Sequence, residues 1–276
     1  MAEQFTEGAK TTSAKLSETR TLRKDRWWIE PLLIFLGLAI FIIYATFRSF
    51  ENQFYSAPHH LPVPWSEGLV PDLLSPFYSP LFLVDWKIYG FTITPAMIIM
   101  PFPLFFRATC YYFRKAYYRA FFLTPPACAV RGNAKPQYTG EKNFPWALQN
   151  LHRFALYFAL IFLVILGIDV IKAMRFADGW GLSVGSLILL GDWLLLTGYV
   201  FGCHSFRHLS GGCLDCFSCS SVSRARYSLW QKITSLNERH AFFAWSSLIG
   251  VGFADFYIRL VTSGTIQDFV FFKLYL

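Results

Sequence analysis

The sequence predicts an all-α integral membrane protein with about five transmembrane helices that form a bundle. Hydrophobic residues make up 54% of the 276 residues and charged residues only 15%, whereas a soluble domain usually carries about a quarter charged residues. The apolar residues also fall in blocks of about 20, the length that an α-helix needs to cross a ~30 Å hydrocarbon core. Lipid is therefore the expected solvent for most of the chain.

The apolar blocks divide the chain into three regions. Residues 1–30 are polar and lack a signal-peptide pattern, so they are predicted to be a segment outside the membrane. Residues 31–262 form the predicted membrane domain, and residues 263–276 a short aromatic tail. The predicted spans are about 31–47, 91–112, 147–171, 182–203 and 241–262.

Two features interrupt this pattern. The second predicted span contains Pro95, Pro101 and Pro103, and a bend is expected there because proline removes backbone donors. The proline-rich segment 51–90 is predicted to be a loop that lies along one membrane face.

The distribution of basic residues predicts the orientation. Residues 1–30 hold six Lys and Arg, residues 113–147 hold six, and residues 205–240 hold five, while the opposite connections hold few. The more basic side normally stays in the cytoplasm, so the N-terminus is predicted to be cytoplasmic and the C-terminus external. The net charge of +8 is then explained by anionic lipid or an acidic partner subunit, and no nucleic-acid partner is expected.

The metal-ligating residue types gather near the predicted cytoplasmic ends of the spans. A metal centre is predicted because five such residues from four spans share one depth, where ionisable groups are costly and tend to mark function: Cys110, His152, Cys203, His204 and His240. All six cysteines lie on the reducing side, so no disulfide is expected. His59 and His60 fall in the external loop and are assigned no metal role.

Other interpretations of these residues are open. A cysteine near a helix end is usually a small buried hydrophobe, and a histidine there can cap carbonyls at the interface. The run Cys213-x2-Cys216-x2-Cys219 is similar in spacing to a ferredoxin motif but lacks its fourth cysteine and proline, so a loop [4Fe–4S] cluster is a weaker hypothesis.

Three acidic residues lie inside the predicted spans. Asp169, Asp192 and Asp255 are interpreted as paired polar groups within the bundle and not as proton relays. Asp255 and Arg259 are four residues apart, a spacing that favours an ion pair between them.

Three segments resemble the membrane subunit of actinobacterial succinate dehydrogenase, of the haem-free type with one membrane polypeptide. They are residues 106–122, residues 148–153 and residues 202–208, and the resemblance extends over nearly the whole chain. It implies a five-helix anchor in the plasma membrane with a flavoprotein subunit and an iron–sulfur subunit docked on its cytoplasmic face. It also implies a Rieske-type [2Fe–2S] cluster within the anchor and a site for a quinone, either menaquinone or ubiquinone.

The residues match the donor set of such a cluster. A Rieske centre needs two thiolates on one iron and two imidazoles on the other, and Cys110, Cys203, His152 and His240 meet that requirement with one ligand per helix. The second-choice ligands are His204, His208 and Cys213. Haem b, held by His152 with His240 or His204, is the alternative cofactor and leaves the cysteines without a role.

Quinone reduction requires polar side chains at the depth of the cluster. The candidates are Arg107, Tyr111, Tyr112, Trp146 and Arg153, although the same residue types form the usual interfacial belt of membrane proteins.

A transporter and a purely structural anchor are the two other possible function classes. A transporter is disfavoured because the unusual chemistry lies at one face and no repeat is apparent, and a purely structural anchor would not need the Cys and His convergence.

Overall fold

The computed structural model describes residues 23–57, 73–82, 86–130, 142, 144, 146–176 and 179–275. It is mostly helical, with four helices long and apolar enough to cross a membrane and a bent helix pair that makes up to five. The predicted fold class, an all-α membrane protein, is confirmed. His59 and His60 lie outside the described residues.

The chain forms two compact units. One contains residues 1–39 and 114–138, and the other contains residues 40–113 and 139–276. Within the first unit, the ring of Phe35 lies 4.7 Å from that of Phe121, and Arg23 donates a hydrogen bond to the carbonyl of Cys128. The second unit holds all the predicted metal ligands and is the subject of the following subsections.

The first span is helix α1, Ile29–Glu51. It begins two residues before Pro31, a position that tolerates proline because the first helical N–H groups have no partner within the helix. Many large apolar side chains of this helix, including Leu33, Ile40 and Ile43, are exposed on the surface, whereas Leu38 is buried. Such a surface suits lipid and not water.

The second predicted span is broken into shorter elements. Strands β3 (Trp86–Ile88) and β4 (Phe91–Ile93) form a hairpin, followed by helices α2 (Pro95–Ile99), α3 (Pro101–Thr109) and α4 (Tyr111–Ala120). The two parts of this helix pair, before and after Cys110, are bent by 81°. The predicted bend is therefore present, but its position was wrong: Pro95 and Pro101 each open a helix, and the sharp turn lies at Cys110.

The third and fourth spans form the predicted hairpin. A 3-10 turn, Trp146–Leu151, leads into α5, His152–Ala173, and α6 covers Val184–Phe201. The indole N–H of Trp193 in α6 donates a 2.8 Å hydrogen bond to the carbonyl of Leu163 in α5. This bond places the middle of α6 beside the apolar middle of α5.

The remaining helices and the tail complete the second unit. They are α7 (His204–Gly211), α8 (Ser221–Glu238), α9 (His240–Thr262) and strand β7 (Val270–Tyr275). Strand β7 pairs antiparallel with strand β6, Gly179–Ser183, in the turn between α5 and α6, where β5 (Arg175–Phe176) also joins the sheet. The aromatic tail is thus part of a small sheet, which the sequence pattern did not predict.

We call the end of this unit where α5 and α9 begin the site end, and the opposite end the far end. A charged network lies buried at the far end. The guanidinium of Arg48 donates to both carboxylate oxygens of Asp255, at 2.7 and 3.1 Å, and both side chains are fully buried. The predicted pair between Asp255 and Arg259 was wrong, because Arg259 instead binds Glu51 at 2.6 Å. Asp255 and Arg259, four residues apart on one helix, therefore bind different partners on α1.

The network also holds the loop that follows α1. Ser75 and Tyr44 donate hydrogen bonds to the carboxylate of Asp255, and the hydroxyl of Tyr78 donates to the carbonyl of Arg48. Burial raises the pKa of Tyr78 to about 12, so this phenol remains a hydrogen-bond donor at neutral pH. Short strands β1 (Ser56–Ala57) and β2 (Leu73–Leu74) pair beside it. The far end is therefore closed by ionic and hydrogen-bonded contacts.

Candidate metal centre

The four first-choice ligands all lie at helix boundaries of the site end. Cys110 separates α3 from α4 with an extended backbone, and Cys203 separates α6 from α7 in the same way. His152 is the first residue of α5 and His240 the first residue of α9. Four separate parts of the chain therefore contribute one side chain each.

The structure brings these four side chains into two contacts. The sulfur of Cys110 lies 3.4 Å from Nε2 of His240, and the sulfur of Cys203 lies 3.1 Å from Nε2 of His152. Both cysteines are almost completely buried, with 3% and 2% of their surface exposed. The predicted convergence on one level is present, while the role of these residues as metal ligands stays a prediction.

Each of the two cysteines directly precedes the start of a helix. Helix α4 begins directly after Cys110, and α7 begins directly after Cys203. The first turn of a helix has free N–H groups and the positive end of the helix dipole. Two helix starts therefore lie at the level of the candidate ligands.

Thr109 fixes the orientation of one imidazole. Its hydroxyl donates a 2.7 Å hydrogen bond to the carbonyl of Phe105, and its oxygen lies 3.0 Å from Nδ1 of His152. Because the hydroxyl proton is already committed, the ring N–H at Nδ1 is the donor in the second contact. Nε2 then carries the lone pair, and it is the nitrogen that faces the sulfur of Cys203.

The second imidazole has one free polar atom. Nε2 of His240 faces Cys110, and Nδ1 is buried without a hydrogen-bond partner among the residues that the structure describes. A buried polar atom without a partner is uncommon and costs free energy.

Aromatic rings enclose both histidines. Phe106 stacks on His152 at 4.7 Å between ring centroids, and Tyr199 stacks on His240 at 5.0 Å. Phe106 and Phe113 meet the ring of Tyr199 edge-on, at 5.6 and 6.0 Å. These rings exclude water, so that electrostatic interactions at this level are stronger than at the surface.

Arg107 supplies a positive charge beside this group. Its guanidinium lies 4.6 Å above the ring of Tyr199 and donates to the carbonyl of Ala244 at 3.1 Å and to the hydroxyl of Ser247 at 2.9 Å. The sequence predicted Arg107 as a quinone contact. In the structure it joins α3 to α9 next to the four candidate ligands.

The other predicted quinone contacts lie in different surroundings. The hydroxyl of Tyr112 accepts a 2.9 Å hydrogen bond from Trp245, and its ring stands edge-on to His240 at 6.4 Å. The side chains of Tyr111 and Arg153 are exposed, and the guanidinium of Arg153 lies over the ring of Phe154. Trp146 opens the 3-10 turn before α5, and its side chain lies outside the described part of the structure.

The second-choice ligands lie on α7 and in the loop after it, and none of them takes part in the two contacts. His204 and His208 are exposed on α7, and Cys213 is an exposed free cysteine in the loop after it. Cys216 and Cys219 form a disulfide, with their Cα atoms 5.7 Å apart. The expectation that no cysteine forms a disulfide was wrong for this pair, because the loop brings the two Cα atoms within the usual bridging distance.

Among the described residues, no three His, Cys, Asp or Glu side chains are placed to hold one ion.

Sequence reasoning also missed Thr109, Phe106 and Tyr199, which orient or cover the histidines. Only the position of Thr109, next to a candidate cysteine, offered a signal that could have identified one of them.

A helical membrane protein with two buried thiols and two imidazoles at one end has the features of a membrane subunit of a redox complex. A family model described as the actinobacterial succinate dehydrogenase subunit SdhC matches residues 29–264. The chain belongs to this family, and it is therefore a multi-pass membrane subunit of succinate dehydrogenase, an oxidoreductase of the inner membrane, whose partners are the other subunits of that complex.

A solved structure gives a second comparison. The chain is similar to a chain of the structure described as the Mycobacterium smegmatis Sdh1 complex in the apo form, with 42% sequence identity and a TM-score of 0.79. The match covers 92% of this chain and 95% of the other. No curated protein sequence matches the chain. The resemblance predicted from the three sequence segments is confirmed.

Proposed function

We propose that this subunit passes electrons from an iron–sulfur subunit to a membrane quinone through a Rieske-type [2Fe–2S] cluster. The observation that supports this proposal is the contact of two buried thiols with two imidazoles, contributed by four helix boundaries. Cys110 and Cys203 would bind one iron, and His152 and His240 the other. When bound, such a cluster accepts one electron at a potential raised by its histidine ligands toward that of quinones.

The protein's own residues prepare this site. Thr109 presents the lone pair of His152 at Nε2, and Phe106 and Tyr199 hold the two rings in place and exclude water. The positive charge of Arg107 stabilises the additional negative charge that arrives with an electron. Haem b remains the alternative, but it would leave both buried thiols without a function.

A quinone site at the site end is part of the same proposal. Tyr112 and Arg107 lie beside His240 and Tyr199, while Tyr111 and Arg153 present exposed polar side chains near the start of α4 and α5. Quinone oxygens require hydrogen-bond donors, and these phenol and guanidinium groups supply them. Trp146 completes the proposed set. Either menaquinone or ubiquinone meets this chemistry.

The simplest test of the proposed function is electron paramagnetic resonance of the purified complex. A Rieske-type cluster should add a signal in the dithionite-reduced complex that is absent from the isolated soluble subunits. The optical spectrum should lack the sharp bands of haem b. A haem spectrum without the additional signal would favour the alternative cofactor.

The cysteine residues provide a specific prediction. Cys203→Ser should abolish the membrane cluster, because it removes a buried ligand whose sulfur lies 3.1 Å from His152. Cys216→Ser and Cys219→Ser should keep the cluster, since these residues lie in the loop after α7. Iron content and the paramagnetic signal can be compared across the three variants of the assembled complex. Loss of the cluster in the two loop variants would move the centre into the loop.

The basic face is proposed as the docking surface for the flavoprotein and iron–sulfur subunits. Residues 205–240 contain five Lys and Arg, and Ser221, Arg224 and Ala225 on α8 are exposed. Electrons from the soluble subunits must enter beside Cys203 and His240, which flank this segment. The proposed orientation therefore has the site end at the cytoplasmic face of the plasma membrane.

Cysteine labelling tests this orientation. In a background with Cys128→Ser and Cys213→Ser, Arg224→Cys should be protected from a membrane-impermeant label in intact cells. In inverted vesicles it should be labelled only after the soluble subunits are removed. Ser263→Cys, at the far end of α9, should be labelled from outside intact cells. Labelling with the opposite pattern would contradict the proposed orientation and place the site end at the external face. Lys135 and Ser66, which serve equally well on sequence grounds, lie outside the described residues.

A further inference from the structure

Asp192 differs from the other acidic residues of the bundle. Its side chain is 4% exposed, and Oδ1 has no hydrogen-bond partner among the described residues. By contrast, Asp169 accepts a hydrogen bond from Ser79 and lies 3.6 Å from Lys172, and Asp255 is bound by Arg48. The expectation that all three are paired therefore does not hold for Oδ1 of Asp192.

Helix α9 makes room for this carboxyl group. Gly250 faces Asp192, and a Cβ atom added at Gly250 would lie only 2.9 Å from Oδ1. The carboxyl oxygen is thus aimed at the backbone of the neighbouring helix at a position where a larger residue would displace it. At the same level α5 presents its apolar middle, fixed by the bond between Trp193 and Leu163.

A line of polar groups connects this carboxyl with the candidate centre. Ser247 lies one helical turn before Gly250 on α9, and it accepts a hydrogen bond from Arg107. The same guanidinium lies over Tyr199, which stacks on His240. From His240 to Gly250 this line extends about 15 Å along the helix, given ~1.5 Å per residue. It reaches from the site end toward the middle of the membrane.

The charges along this line are few. Arg107 from α3 is the charged residue of this line, whereas α9 contributes Ser247 and Gly250, and α5 contributes apolar side chains. Asp169 and Lys172 on α5 are paired with each other nearer the far end. An ionised carboxylate that is buried and incompletely hydrogen-bonded is costly, so the proton affinity of Asp192 is sensitive to the electrostatic potential at its carboxyl group.

We propose that Asp192 is a buried proton-binding site whose protonation follows the redox state of the candidate centre. An electron that arrives there adds one negative charge close to Arg107, which weakens the field of the guanidinium at Asp192. One proton from water then forms an O–H bond with the carboxylate, and on reoxidation this bond breaks and the proton leaves. The inference rests on the proposed function, because the electron reaches this line through the centre.

Redox-difference infrared spectroscopy of the assembled complex tests this inference. Reduction should produce a carbonyl stretching band of a protonated carboxylic acid that shifts in heavy water. The band should be absent from Asp192→Asn, which has the same shape, and should persist in Asp169→Asn, the matched control. Gly250→Ala should keep the band but move its frequency, because the new methyl group crowds Oδ1. It provides a readout even where Asp192→Asn does not assemble.

The midpoint potential of the centre supplies an independent readout. One proton taken up per electron shifts the potential by about 59 mV for each tenfold change in proton concentration, and this dependence should diminish in Asp192→Asn. The inference would be overturned if the infrared band, or the pH dependence of the midpoint potential, were unchanged in both Asp192→Asn and Gly250→Ala. In that case the paramagnetic signal would still support the cluster. Absence of that signal from the unaltered complex would instead overturn the proposed function, and the inference with it.

Discussion

Replacing His152 and His240 together by alanine is expected to abolish quinone reduction by succinate, while reduction of a soluble dye by the partner subunits continues. The reason is that both imidazoles are lost from one iron of the proposed cluster. The rate with quinone should fall to the background of the assay, and the paramagnetic signal of the membrane cluster should disappear. Both quantities can be measured on the same preparation of assembled complex.

The matched control uses the two other histidines of this region. His204 and His208 are exposed on α7, so His204→Ala combined with His208→Ala should retain the cluster and most of the quinone activity. Normal quinone reduction in an assembled complex that lacks His152 and His240 would exclude both the proposed cluster and the haem alternative that these residues would hold. A loss of activity in the control double variant would favour the second-choice ligands.

Replacing Arg48 by methionine is expected to give the largest loss of stability. Arg48 and Asp255 are both fully buried, and the guanidinium also donates to the carbonyls of Gln53 and Phe54. Removing one partner of a buried ion pair leaves an uncompensated charge and typically costs about 3–5 kcal/mol. The unfolding temperature in detergent should therefore fall strongly, and segment 73–79 should become accessible to protease.

Arg259→Met is the control for this prediction. Arg259 also forms an ion pair, with Glu51, but its side chain is 30% exposed, so the expected loss is about 1 kcal/mol or less. A double variant with Arg48→Met and Asp255→Asn should recover part of the stability because no buried charge is left alone. Equal effects of Arg48→Met and Arg259→Met would show that burial of the first pair contributes little.

The apolar pattern predicted most of the helices correctly. The predicted spans 147–171, 182–203 and 241–262 correspond to α5, α6 and α9 within a few residues, since a lipid-facing helix must be apolar over its whole length. The second span was less predictable. Its prolines indicated a bend, but the turn lies at Cys110, which is not a proline and does not adjoin one.

The candidate centre was predictable in its composition and not in its contacts. The depth of Cys110, His152, Cys203 and His240 follows from their position in the apolar pattern. That Cys110 faces His240, and that Thr109 orients His152, depends on side-chain directions at helix breaks. A sequence pattern specifies the depth of a residue, whereas its direction at a break is set by residues far away in the chain.

The sequence by itself determined the fold class, an all-α membrane protein, and the level that thiols and imidazoles share, because hydrophobic length and composition are local properties. Only the tertiary structure decided how the charged groups are paired. Asp255 met Arg48 across 207 residues of sequence, and Asp192 received no hydrogen bond at Oδ1 from any described residue. Such pairings depend on which helix faces meet in space, and the physical reason is that buried polar groups are satisfied by whichever neighbour packing brings within reach.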